Sequence, residues 1–165
     1  MAEINLDTIQ SVMGFDYGRR RIGVAVGQTI TGTASPLPVV QWQQSLPMAE
    51  LEKAIKEWRP QLLLVGLPLL MDGGWQEMAS EALGLARKLD GLGKIPVMMV
   101  DERNSSQQAD AIFKEMRQSG QVRRKDAKQQ DSVAARIIVE RWLQRVAPAL
   151  SLEDAAAIRT SMQPL

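Results

Sequence analysis

The chain of 165 residues contains no cysteine and no histidine. Disulfide bonds, thiol nucleophiles and Ser-His-Asp relays are therefore excluded, and a zinc site is disfavoured because zinc prefers cysteine and histidine ligands. Any catalysis must rest on Asp, Glu, Lys, Arg, Ser, Thr or Tyr, or on a metal held by oxygen atoms. Oxygen ligands point to Mg²⁺ or Mn²⁺ as the cofactor.

Aromatic residues and long apolar runs are also scarce. Aromatics make up 4% of the chain, which is too few for an extended base-stacking platform. The chain has no run of about 18 apolar residues, the length that a membrane-spanning helix requires, and its N-terminus lacks the pattern of a signal peptide. We therefore expect a cytoplasmic protein without membrane association, built as one domain with its own core.

Positive charge is concentrated in one part of the sequence, although the net charge is only +1. From Lys114 to Arg145, nine basic residues stand against four acidic ones, with the excess compressed into Arg123-Arg124-Lys125 and Lys128. Beside an acidic site, such a patch fits a polyanionic substrate. The alternative is a solvated surface with no partner.

The order of apolar and polar segments predicts the element sequence β-β-β-α-β-α-β-α-α. A hairpin covers roughly 12–28, and Leu62-Leu63-Leu64-Val65 is typical of a strand buried on both faces. The other predicted elements are an extended edge segment at Thr33–Trp42, helices after Pro47 and over 75–90, a strand at 95–100, a helix from Ser105 or Ser106 towards Gln118, a helix from Asp131 to before Pro148, and a short helix beyond it. This order favours one α/β domain with a mixed sheet, antiparallel first and then parallel.

Three separated acids follow predicted strands or begin a predicted helix. Asp16 ends the first strand, Glu102 follows the last strand, and Asp131 begins a helix, where the dipole favours a carboxylate. Taken singly, Asp16 could be a turn residue, Asp101-Glu102-Arg103 a local ion pair, and Asp131 a helix cap. Together they favour a divalent-metal site, because converging carboxylates repel one another without a cation. Such a site can activate water for phosphodiester cleavage.

Five motifs occur in a fixed order along the chain. They are Phe15-Asp16-Tyr17-Gly18 with Arg21-Ile22-Gly23-Val24-Ala25, then Thr33-Ala34-Ser35-Pro36-Leu37, then Val65-Gly66-Leu67-Pro68-Leu69 with Met71-Asp72-Gly73, then Asp101-Glu102-Arg103, and finally Asp131-Ser132 with Ala134-Ala135. Over roughly residues 12–146 the chain thereby resembles the YqgF family, also called RuvX.

The resemblance implies an RNase H-like α/β domain over residues 12–147, with a five-stranded mixed sheet in the order 3-2-1-4-5 flanked by helices. Residues 1–11 would be an N-terminal extension and 148–165 a tail with helical potential. It further implies a metal-dependent nuclease linked to maturation of the 5′ end of precursor 16S rRNA in ribosome biogenesis. Carried over by motif, Asp16, Glu102 and Asp131 are the implied catalytic residues and ligands of Mg²⁺ or Mn²⁺.

Two positions depart from the related RuvC resolvases. Those enzymes place an acid directly after the fourth strand, where this chain has Gly66. The second acid must therefore reach in from the neighbouring strand, and a glycine leaves space for that reach. The resolvases also carry a second Asp one turn into the last helix, where this chain has Ala134, so that the number of metal ions, one or two, stays open.

The candidate contacts to substrate phosphates are Arg21, Arg103, Lys125 and Lys128. Besides precursor rRNA, branched DNA is an alternative substrate, since the family was also proposed to resolve Holliday junctions. A non-catalytic RNA-binding assembly factor, favoured by Ala134, is a third interpretation. An actin-like ATPase shares the Asp-x-Gly pattern but needs two domains, which only a dimer could provide. The sequence leaves monomer and homodimer open.

Overall fold

The computed structural model describes residues 6–103, 132–145 and 147–161. Within them the strands are β1 (Ser11–Asp16), β2 (Arg21–Gln28), β3 (Thr33–Gln41), β4 (Leu62–Leu67), β5 (Val97–Asp101) and β6 (Ala149–Leu150). The helices are α1 (Met48–Trp58), α2 (Glu77–Asp90), α3 (Val133–Leu143) and α4 (Leu152–Ser161), preceded by a short 3-10 helix at Leu6–Thr8. No helix in this part of the chain is long and apolar enough to cross a membrane. The predicted helix towards Gln118 lies outside the described residues.

The strands form one mixed sheet in the order β3-β2-β1-β4-β5-β6. β3, β2 and β1 run antiparallel, and β1, β4 and β5 run parallel. The predicted α/β class and the order 3-2-1-4-5 are therefore confirmed, and β3 is an edge strand as its prolines indicated. The count of five strands was wrong, because β6 adds an antiparallel pairing of Met99 with Leu150 and of Val100 with Ala149. A strand of two residues has no alternating pattern by which a sequence could reveal it.

Helices cover both faces of the sheet. On one face, residues of α1, α2 and α4 pack with Met13, Phe15 and Met99 in the larger core. On the other face, α3 packs against Val12, Leu64 and Val100. Because side chains alternate along a strand, the even-numbered residues of β1, β4 and β5 point towards α3. That parity decides which strand-end residues can meet.

Glycine lets α3 lie close to the central strand. A Cβ atom on Gly14 of β1 would lie 3.2 Å from the carbonyl oxygen of Ala135 and would also contact the Val139 side chain. The start of α3 is fixed as well, since the backbone N–H of Val24 donates a hydrogen bond of 3.1 Å to the buried Ser132 Oγ. The beginning of α3 is thereby tied to strand β2 at the position that pairs with Phe15.

Candidate active site

The carboxyl ends of β1, β4 and β5 meet at one edge of the sheet. Phe15 pairs with Val65, and Gly66 pairs with Val100. Asp16 therefore lies beside Gly66. Glu102 comes two residues after Val100, the residue that pairs with Gly66. All three share the parity that faces α3. Two of the acids predicted from the sequence are thus brought to the same face of the same edge.

The Glu102 side chain passes over Gly66 to reach Asp16. A Cβ atom on Gly66 would lie 2.5 Å from Cδ of Glu102 and 2.6 Å from Cδ1 of Ile138, closer than real contacts allow. The carboxyl groups of Glu102 and Asp16 are joined by a side-chain hydrogen bond. This agrees with the steric expectation from the sequence, in which glycine at position 66 leaves room for an acid from the neighbouring strand.

The environment of Glu102 disfavours its ionised form. Burial raises the pKa of Glu102 from 4.5 to about 9, and the charge and hydrogen bond of Asp16 and the charge of Asp101 act in the same direction. The nearby Arg141 guanidinium opposes the rise. Two carboxyl groups in contact, one of them protonated because burial and the neighbouring acids disfavour its charge, supply the oxygen ligands that Mg²⁺ or Mn²⁺ prefers. The donor set therefore fits a divalent cation.

Arg141 is a site residue that the sequence analysis missed. Its side chain is buried on α3, and its Nε donates to the backbone oxygen of Asp101 at 3.2 Å. A signal was present, because Arg141 follows Ile137 by four residues and Ile138 by three. A charged residue thus occurs in phase with the apolar side of a helix. Such a residue needs a buried partner, and the end of β5 provides it.

The third predicted acid, Asp131, lies outside the described residues, as do Lys125 and Lys128. Its chain neighbour Ser132 is described and is bonded to Val24, which pairs with the residue before Asp16. Within residues 6–103, 132–145 and 147–161, no group of three or more acids is placed to hold a metal ion. The described part of the site is the Asp16–Glu102 pair.

Arg103 is engaged on the opposite side of the sheet edge. Its Nε and Nη2 each lie 2.7 Å from Oδ2 of Asp101, and its backbone N–H donates to Oδ1 of Asp101 at 2.9 Å. Asp101 has the parity of Met99, which packs in the larger core away from α3. The two neighbouring acids thus have different tasks, since Asp101 orients an arginine and Glu102 joins Asp16.

An arginine-rich cavity of about 390 Å³ opens beside Asp16. It is lined by Asp16, Gly18, Arg19, Arg20, Arg21 and Gly23. Arg19 is held by Glu81, with Nη2 of the arginine 2.7 Å from Oε2 of the glutamate. Arg21 is exposed at the start of β2. The hairpin between β1 and β2 therefore places arginine side chains beside Asp16.

We expect the stability of the metal-free protein to fall between pH 5 and pH 9. The folded protein retains the Glu102 proton up to about pH 9, whereas the unfolded chain releases it near 4.5. In that interval the folded state binds more protons, so the free energy of unfolding decreases as pH rises. The measurement is urea unfolding in EDTA at a series of pH values. A Glu102→Gln variant should show a flatter dependence, and parallel curves for the two proteins would contradict the assigned protonation.

A protein-family model matches most of the chain. The family model described as "RuvX: Holliday junction resolvase" matches residues 10–145. A protein of Shewanella denitrificans is 42% identical over 136 residues, which are 82% of this chain and 94% of that protein. One of Proteus mirabilis is 41% identical over 137 residues, covering 82% and 96%. Both are named "Putative pre-16S rRNA nuclease".

Solved structures resemble the fold at much lower identity. The structure of T. thermophilus RuvC in complex with a Holliday junction substrate has a TM-score of 0.56 and 17% identity, covering 85% of this chain and 99% of that one. The fowlpox virus resolvase in complex with Holliday junction DNA has a TM-score of 0.56 and 10% identity, covering 82% and 98%. These likenesses confirm the predicted RNase H-like fold.

Proposed function

Because the chain belongs to the RuvX family, we propose that it is a metal-dependent nuclease that processes the 5′ end of precursor 16S rRNA by hydrolysing phosphodiester bonds. The observation that carries the chemistry is the contact between the partly buried Glu102 carboxyl and Asp16 across Gly66. The named activity of the relatives from Shewanella and Proteus supports the choice of substrate.

Asp16, Glu102 and Asp131 are the proposed ligands of Mg²⁺ or Mn²⁺. The anchoring of Ser132 to Val24 supports the inclusion of its neighbour Asp131, because consecutive Cα atoms are about 3.8 Å apart. A bound divalent ion would lower the pKa of an attacking water and stabilise charge on the phosphate. Once Glu102 is ionised, Arg141 would offset part of its negative charge from the side of α3.

Glu102 must lose its proton to become a ligand. Its raised pKa means that at neutral pH the carboxyl retains its proton. Ion binding therefore releases about one proton per site, and affinity should increase with pH up to about 9. Calorimetric titration in buffers of different ionisation enthalpy measures this release.

Positive side chains around the edge are proposed to bind the substrate backbone. Arg20 and Arg21 line the cavity beside Asp16, and Lys125 and Lys128 are further proposed contacts to phosphate. Arg103 would contribute from the other side while paired with Asp101. Contacts to phosphate favour recognition of charge and shape over base sequence.

The test is cleavage of a precursor 16S rRNA fragment that retains its 5′ leader. Wild type should cut it in Mg²⁺ or Mn²⁺ and not in EDTA, while Asp16→Asn protein purified in the same way serves as the control for contaminating nucleases. Equal cleavage by the two proteins, or no cleavage in either ion, would reject the proposal. Binding without cleavage in both ions would instead indicate a non-catalytic assembly factor.

Resolution of Holliday junctions is the second candidate function, because the matching family model carries that description. A four-way DNA junction and a linear duplex of the same sequence belong in the same assay. Symmetric cuts in the junction alone, with the precursor RNA left intact, would favour this activity over RNA processing.

A further inference from the structure

The loop after β4 presents two large apolar side chains to solvent. Met71 is 71% exposed and Leu70 is 45% exposed, whereas the preceding Leu69 is buried. We call Leu70 and Met71 the apolar turn. Single exposed apolar residues are common in soluble proteins. These two are adjacent on a turn, where glycine, aspartate, asparagine and serine usually prevail.

Backbone hydrogen bonds fix the apolar turn without help from its own side chains. The N–H of Leu70 donates to the carbonyl of Gly74 at 2.9 Å, and the N–H of Gly73 donates to the carbonyl of Leu70 at 2.8 Å. Asp72 Oδ1 accepts from the N–H of Gly74 at 2.7 Å, and Gly73 has a φ of 89°. Residues 72–74 thus supply the turn chemistry. The side chains of Leu70 and Met71 are consequently available for another task.

The apolar turn lies at the edge of the sheet that carries the acidic pair. Met71 follows Gly66 by five residues, so their Cα atoms are at most about 18 Å apart. This corresponds to about five base-pair steps of 3.4 Å. The guanidinium of Arg103 adjoins the turn, because its Nη1 lies 3.1 Å from the position of a Cβ on Gly73. A cation for phosphate and an apolar surface for a base therefore occur side by side.

On the basis of the nuclease function proposed above, we infer that the apolar turn contacts and unstacks a base where a paired stem meets an unpaired strand, close to the scissile phosphate. Leucine and methionine act as wedges between bases in other nucleic-acid-binding proteins. Unstacking costs least where pairing already ends, so the turn should favour junctions over continuous duplex. Arg103 beside the turn and the arginines that line the cavity beside Asp16 at the same sheet edge fit a nucleic acid better than an apolar protein surface.

The test uses 2-aminopurine, whose fluorescence increases when the base loses its stacking. One probe is an RNA hairpin with a single-stranded 5′ extension and the label in the pair next to that extension. The other is a continuous duplex labelled at its centre. All proteins carry Asp16→Asn in Mg²⁺, so that no strand is cut. The wedge is thereby measured independently of catalysis, and cleavage by wild type is assayed separately.

Three variants are compared in that background. Leu70→Ser with Met71→Ser should lose most of the fluorescence increase and bind the hairpin about tenfold more weakly, with an unchanged circular dichroism spectrum. The control is Ile30→Ser, since Ile30 is 92% exposed and lies at the opposite end of the sheet, beyond the pairing of Ser11 with Gln28. Met71→Leu, which keeps an apolar side chain, should retain the signal.

The inference is overturned if the double variant keeps the fluorescence increase, or if the parent protein produces none. It is also overturned if the double variant loses affinity for both probes equally, because the turn would then bind nucleic acid without distinguishing the junction. Loss of self-association with unchanged nucleic-acid binding would overturn it as well, because the turn would then contact a second copy of the protein. Cleavage by wild type together with a silent probe would reject the wedge and leave the nuclease function standing. If the double variant is the only protein that loses the signal, and wild type does not cleave the RNA, the wedge is supported and the nuclease function is rejected.

Discussion

Replacement of Asp16 by asparagine is expected to reduce cleavage by about a thousandfold or more while leaving the fold intact. Asparagine keeps the size of the side chain but removes the charge that a divalent ion requires, and stabilisation of several kcal/mol is then lost from the transition state. The free energy of unfolding should stay constant or rise, because the partly buried Glu102 carboxyl would no longer face a second acid. Activity and stability are therefore expected to change in different directions.

Single-turnover cleavage and urea unfolding of the same preparations test this prediction. Asp90→Asn is the matched control, since Asp90 is exposed at the end of α2, and the chain leaves α2 towards the beginning of β5, away from the edge that carries Asp16. It should retain activity within about twofold, as expected for a surface change. A parallel loss of activity and stability in Asp16→Asn would show a structural role instead.

Replacement of Gly66 by alanine is expected to reduce cleavage by about a hundredfold or more and to destabilise the protein by about 1–3 kcal/mol. The added Cβ would lie 2.5 Å from Cδ of Glu102 and 2.6 Å from Cδ1 of Ile138. The glutamate would have to turn away from Asp16, and Ile138 would have to shift within the smaller core. One methyl group would thus displace a proposed ligand and strain the contact between the sheet and the helix.

Gly84→Ala is the control for this change. Gly84 lies within α2 with open space around its Cβ position, so alanine should stabilise the helix by about 0.5–1 kcal/mol and leave cleavage unchanged. A second variant, Gly66→Glu with Glu102→Gly, moves the carboxylate to the neighbouring strand and should recover a measurable part of the activity. Full activity in Gly66→Ala would refute the proposed reach of Glu102.

Much of the fold could be predicted from apolar patterns. The run Leu62-Leu63-Leu64-Val65 predicts a central strand because only burial on both faces favours such a sequence. The hairpin around Gly18 and the helix between Pro47 and Pro60 follow from turn and breaker residues. Strand β6 could not be predicted, because its pairing depends on the position of β5 after folding.

The position of the candidate site could be predicted where it depends on two features of the strands, namely where each strand ends and which face its alternate residues share. Counting alternate residues along β5 places Glu102, and not Asp101, on the face of Asp16. The pairing of Arg103 with Asp101 was one of the alternatives that the sequence left open, and the structure shows it. The burial of Arg141 near Glu102 could not be derived in the same way, because it depends on the distance between α3 and the sheet, which tertiary packing sets.

The short strand β6 has a consequence for how much of the chain a stable protein needs. The family match ends at residue 145, yet Ala149–Leu150 covers the outer side of β5 and Ala155 of α4 is fully buried in the larger core. Truncation at residue 145 would expose the backbone amide and carbonyl groups along the outer edge of β5. A strand of another molecule could then pair with that edge. The segment beyond the matched region thus covers a strand edge that would otherwise be open to aggregation.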